Sequence, residues 1–356
     1  MRFATRREWL KSPSTQSAEY KSRGAPHTHE DPAGSASGTI VARGARRLYD
    51  ERATHAGGTR TTKTNGKLFV AAILVILGCA LAPAGCGGLG RGAALTLASM
   101  GWDENVAVSN LTKVLLEDEL GYERVDIDSQ DSLGSTYRGV ASGDLDAFQD
   151  VWLPNQEAHL KRVAGDVERL NRWYLGETKQ GMAVPAYMDV GSIDQLNGTD
   201  AQLIYGIEGS SVVMHKVGRQ VIPKYGLKQQ LAQGPTAGML DQVEQLYATK
   251  EDFVFLAWSP HWMNWRYDIR YLDDPKDAMG PTNDPAELST IVRVGLRGED
   301  PVAYAFMDAL DLTEKQIKGL ESAIKEHENP LVGTRRWASE NREVVQPWIE
   351  AAKDAG

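Results

Sequence analysis

Three short segments place a tryptophan beside a turn or a strand end: Gly101-Trp102-Asp103-Glu104, Asp150-Val151-Trp152-Leu153-Pro154 and Ala257-Trp258-Ser259-Pro260-His261-Trp262. Converging indole faces can hold a cation that has no hydrogen bond to donate, because the electron-rich ring attracts positive charge. A quaternary ammonium is such a cation, and its methyl groups shut out ordinary polar recognition. One tryptophan taken alone is ordinary core packing. Here tryptophan outnumbers phenylalanine, nine to six, which packing alone does not require. Each of the three also stands beside Gly or Pro, where loops carry sites.

The elements that must position these residues alternate between strand and helix. Ala93 to Ala98, Arg124 to Ile127 and Asp146 to Trp152 read as strands. Asn105 to Leu120, with Val106, Leu111, Val114 and Leu115 at helical spacing, and Ser132 to Ser142 read as helices. The middle repeats the pattern: strands at Thr178 to Val184, Leu203 to Ile207 and Phe253 to Trp258, and helices at Val212 to Tyr225 and Thr236 to Tyr247. After a Pro/Asp/Gly-rich surface loop, Asp273 to Pro285, the tail offers a strand at Thr290 to Gly295. Amphipathic helices follow at Val302 to Leu310, Glu314 to His327 and Ser339 to Ala352. Alternation of this kind predicts an α/β fold with parallel strands. In such sheets ligands bind beyond the carboxyl ends of the strands. Trp102, Trp152, the Gly206-Ile207-Glu208 turn and Trp258 all fall at such ends. The expected lobes are 93–180 plus 280–356, and 181–279. A small molecule between them would be held by hinge closure.

The amino-terminal region reads differently. Residues 1–67 are rich in Arg, Ser, Thr, Gly and His without apolar periodicity. They fit either a disordered leader or translated sequence upstream of the true start. Leu68 to Leu81 is an apolar run of fourteen residues, short of the roughly twenty that span a membrane but suited to the core of a secretory signal. Ala82-Pro83-Ala84-Gly85-Cys86 then resembles a bacterial lipoprotein processing box with Cys86 as the lipid anchor. Ile76-Leu77-Gly78-Cys79 is a competing box, and a plain signal with an incidental cysteine is the third reading. Each reading exports the chain. Both of its cysteines lie in this segment, so no disulfide staples the body. A body of roughly 270 residues buries an ample core.

Charge divides at the same place. Residues 1–85 carry 13 of the 39 basic and 6 of the 48 acidic residues, leaving 26 basic against 42 acidic in the remainder. An acidic body argues against nucleic acid and raises the local concentration of a cationic ligand, or simply keeps the protein soluble.

Taken in order, Gly101-Trp102, the Gly143-Asp144-Leu145-Asp146 turn leading to Trp152-Leu153-Pro154, Gly206-Ile207-Glu208, and Trp258-Ser259-Pro260-His261-Trp262-Met263 resemble the glycine betaine/choline/proline-betaine substrate-binding proteins of ABC importers. The resemblance covers nearly all of 93–350. It implies a two-lobed, type II-like clamshell that hands its ligand to a membrane permease driven by a separate ATPase. It implies an aromatic box at Trp102, Trp152 and Trp258, and head-group recognition by backbone amides at Gly206 and Ile207. Many betaine-binding members have a histidine where this chain has Glu157; a carboxylate there would repel a carboxylate ligand unless one is protonated. Choline-binding members are similar at that position and carry an acid near the first tryptophan, a role open here to Asp103 or Glu104. Against choline, Gln180 stands where that group has tyrosine, and Ser210 or Ser211 replaces its asparagine.

His261 lies inside the third motif without a nucleophile or metal signature beside it; packing or a hinge role suits it, and it is kept among the candidate ligand-binding residues. Trp262 and Trp265 are expected to pack under the site. Glu208 could touch a cation or cap the helix that follows. The sequence contains no phosphate loop, HExxH zinc motif, EF-hand loop or GxSxG nucleophile elbow. No cofactor, metal or catalytic residue is therefore assigned, and an exported enzyme or a sensor acting on a quaternary amine is the alternative.

Overall fold

The computed structural model describes residues 91–356. The leader, the apolar run, Cys79 and Cys86 lie outside the described residues. The first part of the body contains strands β1 (Arg91–Ser99), β2 (Tyr122–Ser129), β3 (Ala147–Leu153) and β4 (Val167–Arg172). Between them come helices α1 (Asp103–Leu120), α2 (Leu133–Ser142) and α3 (Glu157–Val163). The middle contains strands β5 (Lys179–Pro185), β6 (Leu203–Tyr205), β7 (Gln230–Ala232), β8 (Val254–Ser259) and β9 (Ile269–Tyr271). Its helices are α4 (Val212–Lys216), α5 (Ile222–Tyr225), α6 (Thr236–Thr249) and α7 (Met263–Arg266), with one wide helical turn, Val217–Val221, joining α4 to α5. Strand β10 (Glu287–Arg293) and helices α8 (Leu296–Glu299), α9 (Pro301–Ala309), α10 (Glu314–Lys325), α11 (Pro330–Glu340) and α12 (Arg342–Ala355) complete the chain.

The strands form two five-stranded sheets, ordered β2-β1-β3-β10-β4 and β7-β6-β8-β5-β9. The same plan is used twice. In each sheet four strands run in one direction, and one strand that arrives from the other sheet enters reversed: β10 is antiparallel to β3 and β4, and β5 is antiparallel to β8 and β9. The expected parallel strands are thus joined in each sheet by one reversed strand, which makes the sheets mixed. A strand supplied by a crossover from outside has no βαβ connection to fix its direction. The two crossover segments are tied to each other, since Thr178 Oγ1 donates to the Ala286 carbonyl at 3.0 Å and accepts from the Ala286 N–H at 2.5 Å.

Local sequence explains the elements that carry the site. β3 and β8 are covered on both faces, which is why both read as continuous buried runs rather than alternating ones. In each the next-to-last residue is a tryptophan, and within two residues comes a proline that cannot donate to a ladder. α1 begins directly after Trp102, with Asp103 and Glu104 in the first turn where the helix dipole favours negative charge. It stops at Gly121, whose φ of 75° gives the left-handed cap that releases the chain into β2.

Other boundaries depart from the sequence reading. Strands β4, β7 and β9 and helices α3 and α11 are additional to it. The expected helix from Ser339 begins at Arg342, after α11 has ended. Pro330 at the first position of α11 and Asn329, which accepts from the Leu331 N–H, are a start signal that the interior Gly333 obscures. The Asp273–Pro285 segment is not wholly a surface loop, because Ala278, Met279 and Thr282 are buried. Among the described residues no helix is long and apolar enough to cross a membrane.

Gly333 lies where α11 approaches the backbone of α10. A Cβ there would overlap the Ala323 carbonyl group, which is main chain and cannot swing aside. Gly333→Ala is expected to destabilise the body by about 1–3 kcal/mol, measured as a lowered urea midpoint with unchanged slope.

Candidate functional site

The carboxyl ends of β1, β3, β6 and β8 converge on one cavity with about 350 Å³ of empty space, open solvent included. Its wall is Trp102, Glu104, Trp152, Asn155, Gln156, Gln180, Ile207, Ser211, Val212, Val213 and Trp258. The volume is at the small end for ligand pockets, and the lining is three indoles, one carboxyl group, three neutral amides and a short aliphatic patch.

Every indole N–H of the box is held by a carboxylate. Trp102 Nε1 donates to Glu208 Oε2 at 3.0 Å, Trp152 Nε1 to Asp150 Oδ1 at 2.7 Å, and Trp258 Nε1 to Glu104 Oε2 at 2.7 Å. With the N–H groups satisfied, what each ring offers the cavity is its carbon framework. Two of these bonds, those of Trp102 and Trp258, run from one sheet's half to the other. Glu208 also accepts from the Thr236 N–H at 2.8 Å and Thr236 Oγ1 at 2.9 Å. It therefore caps α6 rather than the helix immediately following it.

Asp103 and His261 lie beneath the box and do not line it. Asp103 Oδ1 accepts from Trp262 Nε1 at 2.6 Å, and Oδ2 lies 3.0 Å from His261 Nε2. The Met263 N–H donates to His261 Nδ1 at 3.1 Å. That donation makes Nδ1 the acceptor, so the ring proton belongs on Nε2 and points at Asp103. Burial holds His261 below the usual histidine range although Asp103 opposes the shift. Burial would raise Asp103, but the hydrogen bonds from His261 and Trp262 and the nearby positive charge of Lys325 outweigh it and keep Asp103 low. A neutral imidazole donating to an ionised carboxylate is the resulting contact, and it joins the two halves.

Several expected site residues take other positions. Glu157 stands on the first turn of α3, half exposed, with its carboxylate 2.9 Å from Lys161. It is absent from the cavity wall, because the turn after Pro154 carries it outward and leaves Asn155 and Gln156 facing in. The Gly206 N–H donates to the Ala232 carbonyl at 2.9 Å, so it serves the sheet rather than a ligand. Its missing side chain matters instead, since a Cβ would lie 2.9 Å from that carbonyl and collide with Met214. Ile207 does line the cavity. Ser210 Oγ accepts from the Leu133 N–H at 3.2 Å across the cleft, whereas its neighbour Ser211 lines the cavity and caps α4 through the Met214 N–H.

Sequence reasoning missed Asp150, Asn155, Gln156, Val212 and Val213 as candidate site residues. Asp150 had a signal: Gln149-Asp150 is a polar pair inside a strand that is otherwise apolar and buried. Gln156 is fixed by Tyr137, whose OH donates to Oε1 at 2.8 Å, and by its own donation to the Asp150 carbonyl at 3.2 Å.

Two carboxyl groups behind the indoles are fully out of water. Burial raises Glu104 well above the normal range, the Asp150 charge raises it further, and the Trp258 hydrogen bond offsets part of this. Burial pushes Asp150 up to about 8, against the pull of the Trp152 hydrogen bond. Asp150 Oδ2 is buried without a hydrogen-bond partner. Without a cation the pair therefore carries less than its full negative charge near neutral pH. A cage of indole rings backed by such acids can hold a monovalent organic cation by ring attraction and by charge. Among the described residues no group of three or more His, Cys, Asp or Glu could hold a metal ion.

Fold and site together define a two-lobed ligand-binding protein of the clamshell class. The structure superposes on lactococcal OpuAC in its closed, glycine betaine-bound form with TM-score 0.65 and 28% identity, covering 72% of this chain and 99% of that one. It superposes on an ABC-transporter choline binding protein in complex with choline with TM-score 0.65 and 25% identity, covering 74% and 94%. Over 163 residues, 45% of this chain, it is 28% identical to the glycine betaine/carnitine transport binding protein GbuC of Listeria monocytogenes, and that match spans 52% of the relative's length. Residues 93–340 match the family described as the substrate binding domain of ABC-type glycine betaine transport systems, and the chain belongs to that family.

A cation favours the ionised form of the acids behind it. Because burial has raised those acids, a cation must displace a proton to bind at low pH, so affinity for a quaternary ammonium should rise with pH through about 8. If the cation lowers one pKa by about one unit, the gain is about tenfold between pH 6 and 9. Calorimetry in buffers of different ionisation enthalpy should show proton release at pH 7; an affinity flat with pH would remove the acids from the site's electrostatics.

Proposed function

We propose that this chain is an extracytoplasmic solute-binding protein that captures a quaternary ammonium compound such as glycine betaine, choline or proline betaine and delivers it to an ABC permease. The observation that carries the reading is the convergence of Trp102, Trp152 and Trp258 on one small cavity, with every indole N–H already held by a carboxylate. Family membership supports binding over catalysis.

In this reading the lobes are 93–180 with 280–356, and 181–279, one for each sheet, with the first boundary moved back to about 178 because β5, Lys179–Pro185, pairs in the second sheet. Closure brings Trp258 and Ile207 from the second lobe against Trp102 and Trp152 of the first. The cross-cleft bonds of Trp102, Trp258, Trp262 and His261 then hold the lobes shut around the ligand. The ammonium sits among the indoles, and the head group points toward Ile207, Val212 and Val213, where the first turn of α4 has amide groups without intrahelical partners. Each desolvated cation–π contact contributes about 2 kcal/mol, so three give roughly 6. Micromolar binding needs about 8. Head-group contacts and the exclusion of water by closure supply the remainder.

Trp152→Ala or Trp258→Ala is expected to weaken binding of glycine betaine or choline at least about tenfold, one lost contact being worth about 1.4 kcal/mol or more. Titration calorimetry alongside a thermal melt checks this; unchanged affinity in both folded variants would sink the aromatic box.

The reading extends to the amino terminus, where Cys86 carries a lipid that anchors the protein to the outer face of the cell membrane. Cys86→Ser should release the protein from the membrane fraction into the soluble one. Retention in that variant would move the anchor to Cys79 or to an uncleaved signal.

A further inference from the structure

Two neutral amides meet over the cavity. Asn155 follows β3 at the edge of the first sheet's half. Gln180 stands on β5 directly opposite Trp258 in the antiparallel pairing, so its side chain leaves the sheet on the same face as that indole. Asn155 Nδ2 donates to Gln180 Oε1 at 3.0 Å, and both residues line the cavity. A single bond between two primary amides leaves half of each unused. Asn155 Oδ1 is buried without a partner, and among the described residues Gln180 Nε2 has no acceptor, its one contact being through Oε1.

That remainder has a useful property. In the present arrangement the pair leaves a carbonyl of Asn155 and an NH₂ of Gln180 without partners at the cavity wall. If both amides turn by half a rotation, the bond between them reverses, and the cavity is shown a free NH₂ from Asn155 and a free carbonyl from Gln180. Either way it meets one donor and one acceptor. Glu104, the ionisable side chain in the wall, can change from acceptor to donor only by taking up a proton. The amide pair changes by rotation, at constant pH and constant charge.

We propose that the Asn155–Gln180 pair reads the ligand's head group, accepting from a hydroxyl or donating to a carboxylate, so that one site takes both hydroxyl-bearing and carboxylate-bearing quaternary amines. This rests on the reading of the indole cavity as a quaternary ammonium site. The pair also spans the two sheets, so the contact that recognises the head group is itself part of the contact between the halves.

The test uses three probes on the same protein: glycine betaine with a carboxylate, choline with a hydroxyl, and tetramethylammonium with no head group. Affinities are measured by calorimetry or tryptophan fluorescence for the wild type, Gln180→Leu, Asn155→Leu and the near-isosteric Asn155→Asp, with circular dichroism to establish folding. The wild type is expected to bind betaine and choline within about tenfold of each other. Gln180→Leu and Asn155→Leu should each weaken both at least about fivefold and leave tetramethylammonium within about twofold. Asn155→Asp, an acceptor only, should weaken betaine relative to choline by at least about tenfold. If all three probes weaken together, or none does, the pair holds the halves in contact without reading the ligand and the proposal fails. If the wild type does not bind tetramethylammonium, the indole cavity itself has been misread, and the failure is then of the site rather than of the amides.

Discussion

Around the cavity every indole N–H has found an acceptor, and the acceptor is a carboxyl group in each case. Trp102 uses Glu208, Trp152 uses Asp150, Trp258 uses Glu104 and Trp262 uses Asp103. Three of these four bonds connect residues on opposite sides of the cleft. The same bonds therefore orient the aromatic cage, join the two halves and place acidic groups behind the rings. An ionised carboxylate, as Asp103 is, suits this because it only accepts, and charge-assisted hydrogen bonds are about twice as strong as neutral ones.

The arrangement carries a cost that a ligand can offset. Carboxyl groups out of water resist ionisation, and Glu104 and Asp150 lie near enough for each charge to oppose the other. A cation in the cage would stabilise both ionised forms and strengthen the bonds they accept from Trp258 and Trp152. On the proposed reading a cation would couple binding to closure through that charge, because Glu104 belongs to α1 of the first half and Trp258, which donates to it, to β8 of the second. The acids that do not face the cavity have a different task. Asp103 stays ionised because His261 and Trp262 donate to it, and it ties the base of the two halves together.

Much of the site was legible because its residues are unusual for where they stand. Trp102, Trp152 and Trp258 fall at strand ends beside Gly or Pro, and the structure brings all three into one cavity. Glu104 was one of two adjacent acids, and only the pitch of α1 separates them: Glu104 turns into the cavity and Asp103 turns beneath it. Glu157 was misplaced for a related reason. The chain turns sharply after Pro154, so spacing along the sequence does not say which of Asn155, Gln156 and Glu157 faces inward. Gly206 was assigned a ligand-binding amide, but the amide is committed to Ala232 on β7, a short strand with no clear sequence signal.

The sequence by itself determined the α/β class, the strand ends that carry the aromatic residues and the family, because these depend on local periodicity and on residue types that keep their meaning anywhere in the chain. The tertiary structure alone decided the reversed directions of β5 and β10, the pairing of each tryptophan with its carboxylate, and the meeting of Asn155 with Gln180. Those contacts join residues up to 159 positions apart. Their geometry is set by how the two sheets face each other, and no local pattern encodes it.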